Sequence, residues 1–166
     1  LIVVADASVL IGLSSIGYLH LIQDQFSSQV LIPPAVWKEV VEQGGDRPGS
    51  HQVSKADWID VHDLKNQDIS RILKLELDEG ESEAIALADE LKADVVLLDE
   101  KDARRIAKQL GLRVLGTIGI LVWAKRVGKI NDLCQVLDIL QSQAMFRISH
   151  KLYQQALKSV GEFNKE

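Results

Sequence analysis

Leu1-Ile2-Val3-Val4-Ala5-Asp6-Ala7-Ser8 opens the chain with an apolar run, rich in Val, that stops at an acid. Such a run suits a strand buried on both faces, as in parallel sheets. An acid at its carboxyl end leaves the sheet where open α/β proteins bind their ligands. With residues 2–5 as the first, four more short β-rich runs follow at 30–32, 58–61, 95–98 and 113–115. They alternate with helical patterns, which predicts an α/β fold: a three-layer α/β/α arrangement around a parallel sheet of four to five strands.

Between these runs, Val9, Leu10, Leu13, Ile16 and Leu19 stand at helical spacing, so one helix is expected over residues 8–23 with Ser8 at its N-cap. Pro33 and Pro34 end the second strand and open the next helix. Residues 44–49, which include Arg47 and Pro48, read as a loop. Residues 66–77 and 81–92 read as two helices broken by Asp78-Glu79-Gly80. After the last strand, Gly116-Thr117-Ile118-Gly119 turns into a helix that ends near Val127, and two amphipathic helices are expected over 130–145 and 149–163. Neither a repeat nor a linker interrupts the chain. One domain over residues 1–166 is expected, with a core at 1–128 and a C-terminal helical extension at 129–166.

A chain of 166 residues with 46% hydrophobic composition can bury a core without staples. Cys134 stands alone, so no internal disulfide is available, and no run of about 18 apolar residues offers a membrane span. No charged segment precedes the opening run, which Asp6 interrupts, so a signal peptide is not expected and a cytoplasmic home is. Nineteen Lys and Arg against 24 Asp and Glu give a net charge of -5. That argues against nucleic-acid binding through overall charge and leaves room for a local basic rim.

The acids carry the functional signal. Asp6 could be an ordinary turn or N-cap aspartate, but the order strand, acid, small residue, Ser favours a site. Asp99 ends Val-Val-Leu-Leu-Asp in the same way, and two parallel strands that end in acids bring both carboxylates to one sheet edge. Asp94, before that strand, falls at the opposite edge. Asp102, one helical turn beyond Asp99, is either a helper of the site or an N-cap. Glu39 lies about 60° from Val36 on a helical wheel, at the border of the apolar stripe. Glu81 and Glu83 open a helix, where the dipole favours acids in any case. Glu83 lies about 40° from Leu87 and so borders the core stripe, which makes it the preferred candidate of the two. Four carboxylates without Cys or His suit a hard cation, Mg2+ or Mn2+, rather than zinc or copper. Such a cation relieves their mutual repulsion and lowers the pKa of water near a phosphodiester.

These residues resemble the PIN-domain family of metal-dependent ribonucleases, especially its short toxin-like prokaryotic members. The likeness rests on Asp-Ala-Ser-Val-Leu-Ile at 6–11, Pro-Pro-Ala-Val-Trp-Lys-Glu-Val at 33–40, Gly-Glu-Ser-Glu-Ala-Ile-Ala-Leu-Ala at 80–88 and Val-Leu-Leu-Asp-Glu at 96–100, and covers roughly residues 1–128. It implies a strand order of 3-2-1-4-5 and an acidic cluster that binds Mg2+ or Mn2+. By position, Asp6, Glu39, Glu83 and Asp99 match that cluster as catalytic and metal-binding residues, and Ser8 matches the small polar residue that supports it. Many members carry Thr-x-Asp or Ser-x-Asp after the fourth strand, whereas this chain has Asp99-Glu100-Lys101-Asp102. The fourth acid is therefore Asp99 or Asp102. Lys101, Arg104, Arg105 and Lys108 follow on one helix, where they either hold RNA phosphates or merely solvate a face.

The resemblance implies a Mg2+- or Mn2+-dependent endoribonuclease, the toxin of a toxin-antitoxin pair, blocked by a small antitoxin protein and homodimeric. The competing reading is a catalytically inactive nucleic-acid or protein binding module of the same fold. His20, His51, His62 and His150 lack ligand spacing. Trp37, Trp58 and Trp123 do not interleave with basic residues and read as core or interface residues. A phosphatase of the aspartate type would want an acid where Ser8 stands, and a receiver-type phosphoacceptor would want an exposed Asp after the third strand and a Lys after the fifth. Dinucleotide binding would want Gly-x-Gly-x-x-Gly after the first strand.

Overall fold

The structure, a computed structural model, describes residues 1–162. Five strands form one all-parallel sheet: β1 (Val3–Ala5), β2 (Val30–Ile32), β3 (Ile59–Val61), β4 (Val95–Leu97) and β5 (Val114–Leu115), in the order 3-2-1-4-5. Helices cover both faces, as expected. β1 is the central strand: Val3 pairs with Val30 on one side and Val95 on the other, and Val3, Val4 and Ala5 are fully buried. A strand without a wet face can be apolar at every position, which is why its sequence is a run and not an alternation.

The expected helix over 8–23 is two helices, α1 (Ala7–Ser15) and α2 (His20–Phe26). Gly17, at φ +78°, ends the first: its N–H bonds Ser14 O and that of Tyr18 bonds Leu13 O, which is the Schellman arrangement. Asp6, not Ser8, occupies the N-cap position of α1. α3 (Pro34–Trp37) starts on Pro34 and passes into a π-helical turn over Lys38–Glu42, and α4 (Ser50–Lys55) follows the predicted loop. Nothing in the sequence pattern announced α4, since Val53 is its one buried residue. α5 (Asp68–Leu73) is shorter than expected, and α6 (Glu79–Leu91) begins two residues early because Asp78 caps it, accepting from Glu81 N. The Asp78-Glu79-Gly80 break is thus the start of a helix.

α7 (Lys101–Gln109) and α8 (Thr117–Arg126) flank β5 in sequence. α9 (Leu133–Gln143) and α10 (His150–Ser159) form a C-terminal pair in contact with α8. Phe163, where the last helix was expected to end, and the rest of the 129–166 extension from there on lie outside the described residues. α6 packs on β1 and β4 and against α3, α5 and α7, whereas α1, α8 and α9 pack together. Leu10, Leu13, Ile85, Leu87, Ile120, Leu121 and Leu137 are fully buried between these layers. Each such side chain contributes about 1.5–3 kcal/mol on burial. Trp37, Trp58 and Trp123 pack partly buried against this core. Among the described residues no helix is long and apolar enough to cross a membrane.

Candidate functional site

The carboxyl ends of β1 and β4 open into a cleft of about 990 Å³ whose polar end is lined by Asp6, Glu39, Asp78, Glu81, Asp99, Glu100 and Arg104. Asp6 stands at its floor, 4% exposed. Its backbone N–H still belongs to the sheet, donating to Leu97 O at 3.0 Å, so the register with β4 fixes where the side chain begins. Although Asp6 sits at an N-cap position, its side chain makes no capping hydrogen bond. Asp78, Glu100, Asp132 and Ser149 each do cap their helices. The turn explanation of Asp6 therefore accounts for its backbone and not for its carboxylate. Oδ1 is buried without a hydrogen-bond partner, a costly arrangement for a charged group.

Gly80 measures how closely the acids converge. A Cβ placed there would lie 3.0 Å from Glu39 Oε2, 3.4 Å from Asp6 Oδ1 and 3.7 Å from Asp78 Oδ1. Three carboxylates from the end of β1, the π-helical turn and the start of α6 thus surround one missing methyl group. Glu39 arrives by a wider turn than the 100° wheel assumes, and it reaches the cleft from there.

Asp99 is held differently. Its Oδ1 accepts from Thr117 N and its Oδ2 from Thr117 Oγ1, both at 2.7 Å, which ties the end of β4 to the first turn of α8. A Cβ at Gly116 would come 2.9 Å from Asp99 Oδ1 and 2.8 Å from Arg104 Nη1, so any other residue there would push one of them aside. Ser8 Oγ lies 3.5 Å from Asp6 Oδ2 and also favours ionised Asp99, so the hydroxyl stands between the two aspartates.

Crowding shows in the proton affinities. Burial, then repulsion from Asp78, Glu39 and Asp99, pushes Asp6 from 3.8 up to about 7, against an opposing Ala7 N–H. Glu81 is pushed up to about 8 by burial, by its hydrogen bond and repulsion with Asp78, and by Asp6 and Glu100. Glu39 is raised by burial and Asp78, and eased by Arg47. Asp99 is raised by burial, with Thr117, Arg104 and Ser8 opposing. These are the marks of carboxyls buried close to one another.

Of the expected residues, the cleft brings together Asp6, Ser8, Glu39 and Asp99. Glu83 is placed elsewhere: it is 8% exposed among the Ala35 N–H, Lys74 and Glu79, and does not line the cleft. Residues two apart on a helix differ by about 200°, so one helix cannot aim both glutamates at one site. Glu81 is the one that faces the acids. Asp102 is exposed and lies 3.8 Å from Arg105, outside the cleft. Arg104 lines the cleft and donates to Leu98 O at 2.8 Å, but Arg105 is engaged by Glu76 and Asp102, and Lys101 and Lys108 are exposed beyond the rim. Asp78 and Glu100 also line the cleft, and neither is among the expected residues. Asp-x-x-Glu at 78–81 is a helix-start pattern that would have located Asp78 and turned Glu81 inward.

Among the described residues, no three His, Cys, Asp or Glu side chains are close enough to hold one ion between them. The donor set is nevertheless all oxygen, with one buried carboxylate oxygen unpartnered. That combination fits a hard cation that keeps most of its water and takes one or two carboxylates directly, as Mg2+ does. It does not fit a dry, fully protein-ligated ion.

The far wall of the cleft is apolar. Leu115, Ile118 and Val122 line it from β5 and α8, and Ala144, Met145, Phe146 and Leu152 from the α9–α10 pair.

A family profile described as DUF3368, PIN domain, matches residues 2–162. Among solved structures, a PilT N-terminus domain protein from the hyperthermophilic archaeon Sulfolobus solfataricus P2 is similar, with a TM-score of 0.57 and 19% identity over 75% of this chain and 93% of that one. At that identity the likeness is one of fold. No curated protein sequence matches the chain.

Proposed function

Since the chain belongs to the PIN-domain family, whose members are commonly nucleases, we propose that it is a divalent-metal-dependent endoribonuclease that hydrolyses RNA phosphodiester bonds. The observation that carries this reading is the unpartnered Oδ1 of buried Asp6, surrounded by Glu39, Asp78 and Glu81 at the open end of a parallel sheet. Of Asp6, Glu39, Glu81 and Asp99, one or two would hold Mg2+ or Mn2+ directly and the others its water, with Asp78 adding charge. When bound, the cation supplies charge neutralisation at the phosphate and makes water more acidic. Thr117 and Ser8 keep Asp99 and Asp6 in place. Arg104, anchored on Leu98 O, presents a cation to a substrate phosphate at the same rim.

In this reading the protein is the toxin of a toxin-antitoxin pair, a homodimer, with a small antitoxin filling the cleft. The motif likeness at 6–11, 33–40, 80–88 and 96–100 supports that role. Asp6→Asn should lower cation-dependent cleavage of single-stranded RNA by at least about a hundredfold, with the fold kept. Undiminished cleavage by that variant, in contaminant-free protein, would falsify the mechanism.

The spacing of the carboxylates favours a second reading, a binding module without catalysis. Calorimetric titration with Mn2+ separates the two: heat of binding in the wild type, lost in Asp6→Asn, supports the enzyme, and no heat at millimolar Mn2+ supports the module.

A further inference from the structure

The acidic cleft continues into two more hollows. It shares Ile11, Glu39, Ala144 and Met145 with a narrow one of about 220 Å³, which in turn shares Ser15, Arg47 and Pro48 with an open one of about 610 Å³. The three therefore lie side by side, from Asp6 past Met145 to Arg47 and His51. We propose that these hollows form one groove that carries the nucleotides flanking the cleaved bond of a single-stranded RNA, and that Arg47 holds one of their phosphates. This deepens the ribonuclease reading and rests on it.

Arg47 is set up for such a contact. Its Nε donates to Gly44 O at 3.2 Å and its Nη2 to Gln43 O at 2.5 Å, so the guanidinium is oriented by two carbonyls while its remaining N–H groups stay available. Among the described residues no carboxylate lies within ion-pair distance of it, whereas Arg71 and Arg105 are each paired. Asp46 lines the same hollow and tempers its positive charge. Arg47 still eases the ionisation of Glu39, so its field reaches the cleft.

Between the two ends stands Met145, which lines both the cleft and the narrow hollow. It is 83% exposed and held at φ +53°, a backbone conformation that side chains other than glycine's rarely adopt. An exposed thioether beside the groove offers an adaptable apolar face to an unpaired base. The cleft itself has the volume of a pocket for one small ligand, so a polynucleotide that enters it must also leave it. Asp6 lies recessed at the floor, where a splayed single strand reaches more readily than a duplex.

The test is anisotropy of labelled single-stranded oligoribonucleotides of about four and about twelve nucleotides, a range that brackets single-strand site sizes. Arg47→Ala should weaken binding of the long oligonucleotide roughly five- to tenfold, leave the short one unchanged and flatten the salt dependence by about one unit of slope. Arg71→Ala, on the exposed face of α5, is the control. Equal weakening of both oligonucleotides, or of neither, overturns the path. Cleavage is scored separately: activity with no effect of Arg47→Ala sinks the path alone, and the expected binding pattern without activity sinks the nuclease reading and leaves an RNA path.

Discussion

Asp6 and Glu81 are two acids in one cleft that favour their protons near neutral pH, and their neighbour Glu83, two residues along α6, is not part of it. Glu81→Gln should weaken Mn2+ affinity by about 10–100-fold, as loss of a supporting group does in metal sites, with little change in melting temperature. Glu83→Gln, whose amide oxygen still accepts from the Ala35 N–H, should leave Mn2+ affinity unchanged by calorimetry. If Glu83→Gln abolished metal binding, the placement of α6 described above would be wrong. Asp6 and Asp99 were legible in the sequence because a strand end has only one direction in which to send its next side chain. The wheel angle from the core stripe favours Glu83 over Glu81, whereas the cleft is lined by Glu81. What decides between them is where the first turn of α6 stands relative to β1, a tertiary matter. Asp78 hid behind its ordinary work as a helix cap.

At the scale of elements, the site is a meeting of starts and ends: β1 and β4 finish at it, and α6 and α8 begin at it. Gly80 and Gly116 sit at those two beginnings, and the structure separates their roles. A methyl at Gly80 meets Glu39 Oε2, the far end of a flexible side chain, so Gly80→Ala should leave the melting temperature nearly unchanged and weaken Mn2+ binding. At Gly116 it meets Asp99, Arg104 and the Leu98 carbonyl at once. Gly116→Ala should therefore cost about 1–3 kcal/mol, read by denaturant unfolding, as well as metal affinity. The strands were legible as Val- and Ile-rich runs, and their order followed from the family likeness. The length of the first helix was not, because its apolar spacing continues past Gly17 and only the left-handed turn there ends it. α4, with one buried residue, carries no periodic signal at all.

For the whole molecule, the raised proton affinities set a pH dependence of stability. A carboxyl that binds its proton more tightly folded than unfolded stabilises the fold at low pH, and that contribution is lost as pH rises through the folded value. Asp6 moves from 3.8 to about 7 and Glu81 from 4.5 to about 8, so the metal-free protein should lose stability steadily between about pH 4 and about pH 8. Each kcal/mol lost lowers the melting temperature by about 2–4 °C in a chain of this size. Thermal melts with millimolar Mg2+ or Mn2+ should flatten that slope, and a slope that ignores the cation would contradict a cation site at the acids. The strand order also has a consequence in time. β1 precedes the other four strands in the chain, yet its partners are β2 and β4, the fourth acid follows β4, and the apolar wall waits for residues 144–156. Asp6 precedes every other residue that lines the cleft with it. Whatever chemistry the cleft performs is thereby withheld from the nascent chain until the segment through Ala156 has been made.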